Sequence, residues 1–339
     1  MKKFTLFFIG ILFSFNLFAT SIKDMANRDI EVPEKIEGIV SVGGTPAINA
    51  FLFAFKKADL IKNGVENENL KKMPFWRHQQ WFMPNIFDLP QVSSNPPSWT
   101  PNFEKLALTK FDIAFVNNSL AANMLEKRAY KTAVINWQGE NNIQKSMNFL
   151  GEFFNMQNHA KEYENYYTKI IKLIEERTKK IKTKKTALYI RLDNLMMPMV
   201  TTANTIFKKA AVISSSEHIN KEHVSIDMEK LYLMNPDFLF VWGEKNVKLA
   251  LTNPKFKNLK AVKNKNVFSV PMGIHFWTHY TPEQILCILW VAKHAYPENF
   301  KDINIFEETK SFYKQFMGKE LSKNQINEIL NLNTHKETK

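Results

Sequence analysis

Glu104-Lys-Leu-Ala-Leu-Thr-Lys-Phe-Asp-Ile-Ala-Phe-Val116 is a pattern that returns 125 positions later as Glu229-Lys-Leu-Tyr-Leu-Met-Asn-Pro-Asp-Phe-Leu-Phe-Val241. Each copy predicts a short amphipathic helix, one polar turn and a buried strand. A period this long is unlike the roughly 20–50 residues of solenoid repeats. The repeat therefore indicates a duplicated α/β domain, and we expect the functional site to lie between the two copies.

The length of the chain agrees with two lobes, because 339 residues exceed what one hydrophobic core usually supports. We expect an N-terminal lobe over 20–156, a linking helix over 157–185 and a C-terminal lobe over 186–339. The helix is predicted from a stretch without Gly or Pro in which Tyr163, Ile170 and Ile174 form an apolar stripe. The expected fold class is α/β, with two Rossmann-like lobes of mostly parallel sheet joined by one long helix.

Short, continuous apolar runs predict the strands of both sheets, because parallel strands are buried on both faces. The predicted strands are 36–42, 112–116, 132–136, 186–190, 238–242 and 266–270. The first runs into Gly43-Gly44, after which Thr45 is the expected N-cap of a helix with Pro46 at its first position. The Pro- and Trp-rich segment 73–101 predicts a long surface loop system that its aromatic residues keep ordered.

The N-terminus has the pattern of a secretory signal peptide over residues 1–19, with Lys2 and Lys3, an apolar run and Ala19 at the expected cleavage site. The alternative is an uncleaved anchor helix, but the run is short for a membrane span. No Cys lies near the cleavage site, so we expect a periplasmic protein that is not a lipoprotein. The single Cys287 lies in an apolar run, which predicts a buried thiol and excludes an intramolecular disulfide.

Charge and motifs narrow the function classes. Lys and Arg number 46 against 33 Asp and Glu, but the excess is spread along the chain and does not predict nucleic-acid binding. The sequence contains no G-x-S-x-G, Walker A, H-E-x-x-H or spaced Cys pair. We therefore expect no enzyme and no cofactor of its own. The alternative class is an exported enzyme or redox protein on this scaffold, which would call for Cys or clustered His.

Aromatic and basic residues follow several predicted strands. Trp137 and Arg191 each come directly after one, Trp242 follows Val241 at the end of another, and the loop 271–280, with His275 and Trp277, follows the last. Open parallel sheets bind ligands at the carboxyl ends of their strands. These residues therefore predict a cleft for a flat or bulky, anionic ligand. For each residue considered alone, a role outside the site remains the alternative: Trp242 could serve core packing, and His279 could lie on the surface.

Arg77, His78 and Trp99 are further candidates from the segment 73–101. An Arg stacked on Trp can pair bidentately with carboxylate, catecholate or oxyanion oxygens. His78 is a possible metal ligand, although whether any side chain ligates a metal stays open. Trp99 is expected to form a wall of the cleft together with Trp137 and Trp242.

The chain resembles the periplasmic substrate-binding proteins of metal-chelate ABC importers, which carry vitamin B12, haem and ferric siderophores. The resemblance covers nearly the whole mature chain. It rests on the Gly43-Gly44 entry, both repeat units, the linking helix, Val270-Pro-Met-Gly273 with Thr281-Pro-Glu-Gln-Ile-Leu286, and Tyr296-Pro-Glu298. It implies two parallel-sheet lobes joined by one helix, with the ligand in the groove between them.

The resemblance also implies partners. In the family, the glutamate that opens each repeat unit docks against arginines of a permease dimer, one lobe per subunit, which assigns this role to Glu104 and Glu229. The alternative interpretation of both glutamates is that each places a negative charge at a helix N-terminus, where it stabilises the helix dipole. Phe111 stands where the family usually has Pro, which weakens the turn signal of the first copy. We expect a monomeric solute-binding protein for a metal chelate, first a ferric siderophore. Haem, cobalamin, a nickel chelate and a molybdate-like oxyanion are alternatives.

Overall fold

The computed structural model describes residues 21–95 and 98–332, so the predicted signal peptide over 1–19 lies outside the described residues. Within these ranges eleven strands form: β1 Ser21–Lys23, β2 Asp29–Glu31, β3 Ile39–Val42, β4 Ile113–Val116, β5 Thr132–Val134, β6 Thr186–Ile190, β7 Met196–Met197, β8 Ile213–Ser214, β9 Val224–Ser225, β10 Phe238–Val241 and β11 Val267–Ser269. Each predicted strand is present, and most are shorter than expected by one to three residues.

Fourteen α-helices form within the same ranges: α1 Thr45–Ala54, α2 Glu68–Lys71, α3 Pro74–Gln80, α4 Phe103–Leu108, α5 Ser119–Glu126, α6 Asn142–Phe153, α7 Gln157–Thr178, α8 Val200–Lys209, α9 Met228–Met234, α10 Glu244–Thr252, α11 Lys260–Lys263, α12 Gln284–Ala295, α13 Ile305–Phe316 and α14 Lys323–Ile329. In the described ranges, none of these helices combines the length and apolar composition needed to cross a membrane.

Two parallel sheets carry the fold, one from each half of the chain. The first has the order β3-β4-β5 and the second the order β11-β10-β6-β8. The repeated strands β4 and β10 each lie between an earlier and a later strand, with Val42 opposite Val116 and Ile190 opposite Val241. Two further sheets are antiparallel pairs of short strands, β1-β2 and β7-β9. The predicted α/β class with mostly parallel sheets is confirmed.

The repeated helices α4 and α9 have the same local structure. Asn102 caps the first and Asp227 the second, each accepting a hydrogen bond from a backbone N–H of the first turn. The fourth residue of each helix, Leu106 or Leu231, is fully buried. Side-chain caps satisfy donors that a helix start leaves unpaired. The duplication thus extends from the sequence to the way each helix begins and packs.

The turn after each repeated helix is held by the same carboxylate contact. Asp112 accepts a hydrogen bond of 2.9 Å from the backbone N–H of Gly38. Asp237 accepts one of 2.9 Å from the backbone N–H of Thr186. Asp112 and Asp237 each directly precede the repeated strand, β4 or β10. The donors lie at the start of the neighbouring strand: Gly38 precedes β3, and Thr186 is the first residue of β6. Phe111, which replaces the expected Pro, therefore does not disturb the turn of the first copy.

The Gly-Gly turn after β3 differs from the prediction in one detail. Thr45 is the first helical residue and Gly44 is the N-cap, so the assignment of Thr45 as the cap was wrong. The Thr45 hydroxyl instead donates to the Ser41 carbonyl, at 3.0 Å. Gly44 has φ of 82°, and a Cβ there would lie 2.6 Å from the Trp137 ring. Glycine is required for both reasons.

The long helix α7 begins at the predicted residue but ends at Thr178, seven residues earlier than predicted. Residues 179–185 contain five Lys, whose mutual repulsion disfavours a further helical turn. Along the helix, the His159 ring bonds the Ala54 carbonyl at 2.7 Å and the Tyr163 hydroxyl donates to the Pro282 carbonyl at 2.9 Å. The helix therefore contacts structure from both halves of the chain.

The core explains how the halves are held together. The largest buried cluster joins one face of each sheet through α7, α12 and α13, whereas the opposite face of each sheet has a smaller cluster of its own. Cys287 lies in α12 and is buried, as predicted. The segment 73–101, predicted as surface loops, begins instead with α3, whose Trp76 is almost fully buried. Its aromatic content drives that burial.

Candidate ligand-binding site

A cavity of about 680 Å³ lies where the carboxyl ends of the two sheets meet. Residues that follow β3, β4 and β5 line one side, and residues that follow β6, β10 and β11 line the other. Its lining is strongly aromatic, with Phe75, Trp99, Trp137, Tyr189, Trp242, Phe276 and Tyr280. The position agrees with the general rule for open parallel sheets.

Four of the predicted site residues line this cavity. They are Trp99, Trp137, Trp242 and His275. Trp137 and Trp242 come from strands of different sheets, so the cavity brings together the two halves of the repeat. Trp242 is half-buried, and Phe276 meets it edge-on with ring centroids 5.0 Å apart. Such edge-to-face pairs favour one ring orientation, which fixes the wall.

Arg191 lies beside the cavity and is not among its lining residues. Its guanidinium is 4.7 Å from the ring centroid of Trp242. It also forms two hydrogen bonds with the Asp193 carboxylate, at 3.2 and 2.8 Å. This pairing holds the pKa of Asp193 below its usual value. Arg191 therefore supports the Trp242 ring from a position where its charge is already paired.

Arg77 and His78 lie on α3, outside the cavity lining. His78 is buried, and its Nδ1 is 2.8 Å from the Gly273 carbonyl. Its Nε2 is 3.2 Å from the Glu328 carboxylate, and Arg77 is 3.4 Å from the same carboxylate. The contact with His78, more than the Arg77 charge, lowers the pKa of Glu328. These residues join α3 to α14 and to the loop after β11.

Gln79, next to His78, links the halves directly behind the cavity. Its side-chain N–H donates to the Pro46 carbonyl at 3.0 Å and to the Ile274 carbonyl at 2.9 Å. Its carbonyl oxygen accepts from the Asn49 side chain at 3.1 Å. Because Gln79 is fully buried, losing these contacts would leave unpaired polar groups. The relative position of α1 and the loop after β11 is thus fixed.

Trp277 is fully buried behind the cavity, so the structure does not place it on the lining. Its ring N–H is 3.4 Å from the Glu283 carboxylate. That carboxylate also accepts from the backbone N–H groups of Ile274 and His275, at 3.1 and 3.0 Å, and from the Tyr313 hydroxyl. Burial raises the pKa of Glu283 to about 7. One buried carboxyl group therefore anchors the loop that carries His275.

The histidines of this loop are uncharged at neutral pH. Burial, with His279 nearby, lowers the pKa of His275 well below its usual value, and burial lowers that of His279 to about 4. His275 Nδ1 accepts from the Phe276 backbone N–H at 2.8 Å, which places the proton of the neutral ring on Nε2. Its ring stacks on Phe75 at 5.3 Å. Among the described residues, no three His, Cys, Asp or Glu side chains are grouped to hold a metal ion.

Two helix N-termini face the cavity from opposite sides. The residues that precede them, Gly44 before α1 and Met199 before α8, are both left-handed and give no side-chain cap. Both line the cavity, as does Thr202 in the first turn of α8. The Thr202 hydroxyl is buried and has no hydrogen-bond partner within residues 21–95 and 98–332. Helix N-termini favour negative charge, so both ends suit an anionic group.

The charge of the lining differs from expectation. None of the described lining residues is Lys or Arg, although the strand-end pattern predicted cations in the cleft. The two arginines that were expected there, Arg77 and Arg191, are paired with Glu328 and Asp193. Glu222 supplies a carboxylate to the lining and accepts a hydrogen bond from the Thr201 hydroxyl. The starts of α1 and α8 therefore contribute positive potential where the expected arginines do not.

Sequence reasoning missed part of the lining. Phe75, Thr202 and the pair Glu222-His223 were not among the predicted site residues, and the segment 198–202, which leads into α8, carried no signal. Phe75 could have been found from the aromatic density of its segment. The others reach the cavity through loops whose paths depend on tertiary contacts, so a local pattern does not mark them.

The predicted docking glutamates lie away from these contacts. Glu104 and Glu229 are exposed in the first turns of α4 and α9. Within the described ranges neither carboxylate has an ion-pair partner; Lys105, next to Glu104, pairs instead with Glu66 at 3.0 Å. Both carboxylates are therefore available to another molecule.

Comparisons with known proteins agree with the architecture. Residues 67–272 match the model of a family described as periplasmic binding protein. A curated relative, the molybdate-binding protein MolA of Haemophilus influenzae, is 28% identical over 94 residues, and the match spans 27% of this chain and 27% of the relative.

Solved structures cover nearly all of the chain. A periplasmic solute binding protein from Veillonella parvula is 19% identical with a TM-score of 0.80, covering 93% of this chain and 97% of its own. MolA bound to molybdate is 18% identical with a TM-score of 0.74, covering 89% and 99%. At these identities the likeness establishes a shared fold and leaves the ligand open.

Proposed function

Because this chain belongs to the periplasmic binding protein family, we propose that it is the periplasmic solute-binding component of an ABC importer. It captures a metal complex, with a ferric siderophore as the first candidate, and makes or breaks no bond in it. The observation that carries this proposal is the 680 Å³ aromatic cavity to which both halves of the repeat contribute. Small-molecule sites commonly enclose about 300–1,000 Å³ and are largely apolar.

The lining suits an anionic chelate with flat organic faces. Trp99, Trp137 and Trp242 offer ring surfaces, and the neutral His275 offers an N–H donor. The uncapped starts of α1 and α8 offer backbone N–H groups and positive potential to ligand oxygens. A ferric catecholate, which is anionic and carries aromatic rings, combines these features, and a ferric hydroxamate shares the ligand oxygens. Haem, cobalamin and a nickel chelate share some of them.

A molybdate-like oxyanion is the second candidate. It is favoured by the similarity to the molybdate-binding protein MolA and by the Thr202 hydroxyl beside the start of α8, which has no hydrogen-bond partner among the described residues. Its weakness is size, since a small anion would leave most of the aromatic lining without contact. The cavity volume and the seven aromatic rings therefore rank the organic chelate first.

Delivery to a permease dimer completes the proposed function. Glu104 and Glu229 occupy the same position on two similar lobes, which suits one contact with each of two equivalent permease subunits. Charge complementarity of this kind sets orientation more than affinity. We further propose that the protein is exported with a cleaved signal peptide, has no lipid anchor and acts as a monomer.

Titration of intrinsic tryptophan fluorescence tests the ligand class. We expect a ferric hydroxamate or catecholate to quench the emission at sub-micromolar concentration, and nickel-histidine and molybdate to bind more weakly. Trp242→Ala should weaken binding roughly tenfold, as expected for loss of a buried aromatic contact. Trp81→Phe, which changes a tryptophan outside the cavity, should leave the affinity unchanged.

Three outcomes would contradict the proposal. If none of the four probes changes the fluorescence or raises the melting temperature, the cavity does not bind this class of ligand. If molybdate alone does so, the second candidate is correct. A chelate recovered chemically altered would instead support the alternative of an exported enzyme.

A further inference from the structure

Two large apolar side chains are exposed at the same position of the repeat. Leu108 ends α4 and is 81% exposed, and Leu233 lies near the end of α9 and is 76% exposed. Each follows the repeated glutamate by four residues, so Glu104 and Leu108 share one helix face, as do Glu229 and Leu233. The intervening Leu106 and Leu231 are fully buried, so each helix is otherwise normally packed.

Folding does not account for this arrangement. A single exposed leucine on a protein surface is ordinary and needs no explanation. Here, however, the two most exposed large hydrophobic residues of the described chain occupy equivalent positions in two lobes whose surrounding residues differ. Ala107 in one helix corresponds to Tyr232 in the other, and Thr109 corresponds to Met234. The positions on either side of each exposed Leu differ, whereas the Glu, the Lys and both Leu residues of the repeat are kept.

The charges point to the kind of partner. The chain has 46 Lys and Arg and 33 Asp and Glu, so acids are outnumbered by possible partners. Even so, neither Glu104 nor Glu229 forms an ion pair with any described residue. A carboxylate without a partner beside an exposed leucine matches a basic side chain next to an apolar pocket. Two such patches on equivalent lobes match a partner with two equivalent subunits.

We propose that Leu108 with Glu104, and Leu233 with Glu229, form two equivalent docking patches for the permease dimer. This rests on the proposed function and adds to it an apolar anchor in each lobe. The glutamate orients the protein through charge, and the leucine enters an apolar pocket of the same permease subunit and supplies affinity. A desolvated side chain of this size makes a larger contribution than a charge at the rim of an interface.

Binding to the cognate permease and ATPase complex, reconstituted in nanodiscs, tests the proposal. We expect Leu108→Ala and Leu233→Ala each to weaken binding about tenfold, the loss expected for burying a leucine. The matched controls are Leu120→Ala and Leu251→Ala, which remove leucines that are 71% and 52% exposed at positions outside the repeat pair. Both controls should bind like the unchanged protein, and none of the four should alter ferric-chelate quenching.

The outcomes separate this inference from the proposed function. If Glu104→Ala and Glu229→Ala weaken docking while both repeat leucines behave like the controls, the leucine anchors are refuted and the importer function stands. If the unchanged protein does not bind the complex, both fall. If the repeat leucines matter for self-association on a sizing column and not for nanodisc binding, the patches are an interface between copies of this chain.

A second measurement does not depend on affinity. Leu108→Cys and Leu233→Cys each add an exposed thiol to a chain whose own Cys287 is buried. Addition of the nanodisc complex should slow thiol labelling at both positions to a similar extent and leave Leu251→Cys unaffected. Protection at one position only would contradict a partner with two equivalent subunits.

Discussion

The two lobes share a framework but contribute unequal chemistry to the cavity. β4 and β10 each lie between an earlier and a later parallel strand. In both lobes a capped helix precedes this strand, and an Asp in the turn between them accepts a backbone hydrogen bond from the start of the neighbouring strand. At the equivalent strand ends, however, the first lobe has Asn117 where the second has Trp242. All the lining histidines and the Glu222 carboxylate follow β6. Duplication therefore conserved the scaffold, while the loops of the second lobe acquired most of the polar groups.

The largest expected effect lies in the second lobe, at Glu283. Replacement by Ala removes one acceptor from several buried donors, including the N–H groups of Ile274 and His275. Each unsatisfied buried donor costs about 1–3 kcal/mol, so we expect Glu283→Ala to lower the free energy of unfolding by at least about 3 kcal/mol in urea titrations. Asp112→Ala, at the half-buried carboxylate of the first lobe, should cost less because water can replace it.

Equal losses in the two variants would contradict this inequality between the lobes. A loss below about 1 kcal/mol for Glu283→Ala would show that the loop after β11 does not depend on the buried carboxylate.

The same carboxyl group predicts a pH dependence. Burial raises the pKa of Glu283 to about 7 from an ordinary value of 4.5. The folded state thus holds this proton more tightly, and the stability it contributes is fully present below about pH 4.5 and is lost as the pH rises through 7. Urea titrations from about pH 4 to about pH 8 should show the unchanged protein losing stability relative to Glu283→Gln. The buried histidines are common to both proteins and cancel in this comparison. A difference that is flat or rises with pH would refute the assignment.

The sequence predicted the scaffold well because its signals are local. A continuous apolar run such as 186–190 is buried on both faces wherever the strand is placed, and Thr186–Ile190 agrees to the residue. Trp137 and Trp242 line the cavity for a related reason, because the carboxyl ends of parallel strands meet at one edge of a sheet. The repeat itself established two similar units before any contact was known.

The remaining site residues depended on contacts between distant segments. His78 contacts Gly273 and Glu328, which lie far along the chain, and these contacts direct the His78 side of α3 toward the protein interior. Arg191 was expected to meet ligand, but Asp193 two residues later binds it. Trp277 faces the core because Glu283 accepts its N–H. None of these side-chain contacts can be read from periodicity or spacing in the sequence, because each depends on which residue lies nearby in the folded protein.

Glycine positions at the two strand ends give a smaller effect. Gly44 and Gly243 both have positive φ, 82° and 77°, but a Cβ at Gly44 would meet Trp137 at 2.6 Å whereas none would be met within 4 Å at Gly243. We expect Gly243→Ala to cost about 1–3 kcal/mol of backbone strain, because φ 77° with ψ 154° is a conformation that few residues besides glycine adopt, and to leave the emission of Trp137 unchanged. Gly44→Ala should cost about 1–3 kcal/mol, from left-handed strain together with the contact to Trp137, and should shift the emission of Trp137 because the ring must move. An unchanged emission in Gly44→Ala would show that the ring does not depend on Gly44.

The smallest expected effect tests how similar the lobes are where they should be alike. Asn102 and Asp227 cap α4 and α9 by accepting from Lys105 and Lys230 N–H, at 3.1 and 2.7 Å. Replacing either with Ala should lower the free energy of unfolding by about 1 kcal/mol, with Asp227→Ala at the upper end because its charge also favours the helix dipole. Asp227→Asn keeps the acceptor and is the matched control.

These two caps also hold the glutamate and leucine of each docking patch in position, since all lie within two turns. Loss of a cap lets the short helix fray, so the cap variants should weaken docking to the permease complex without changing ligand quenching. A docking loss in only one of the two cap variants would mean that the permease binds the two docking patches unequally. Equal losses would mean that the repeat has kept its function as well as its fold.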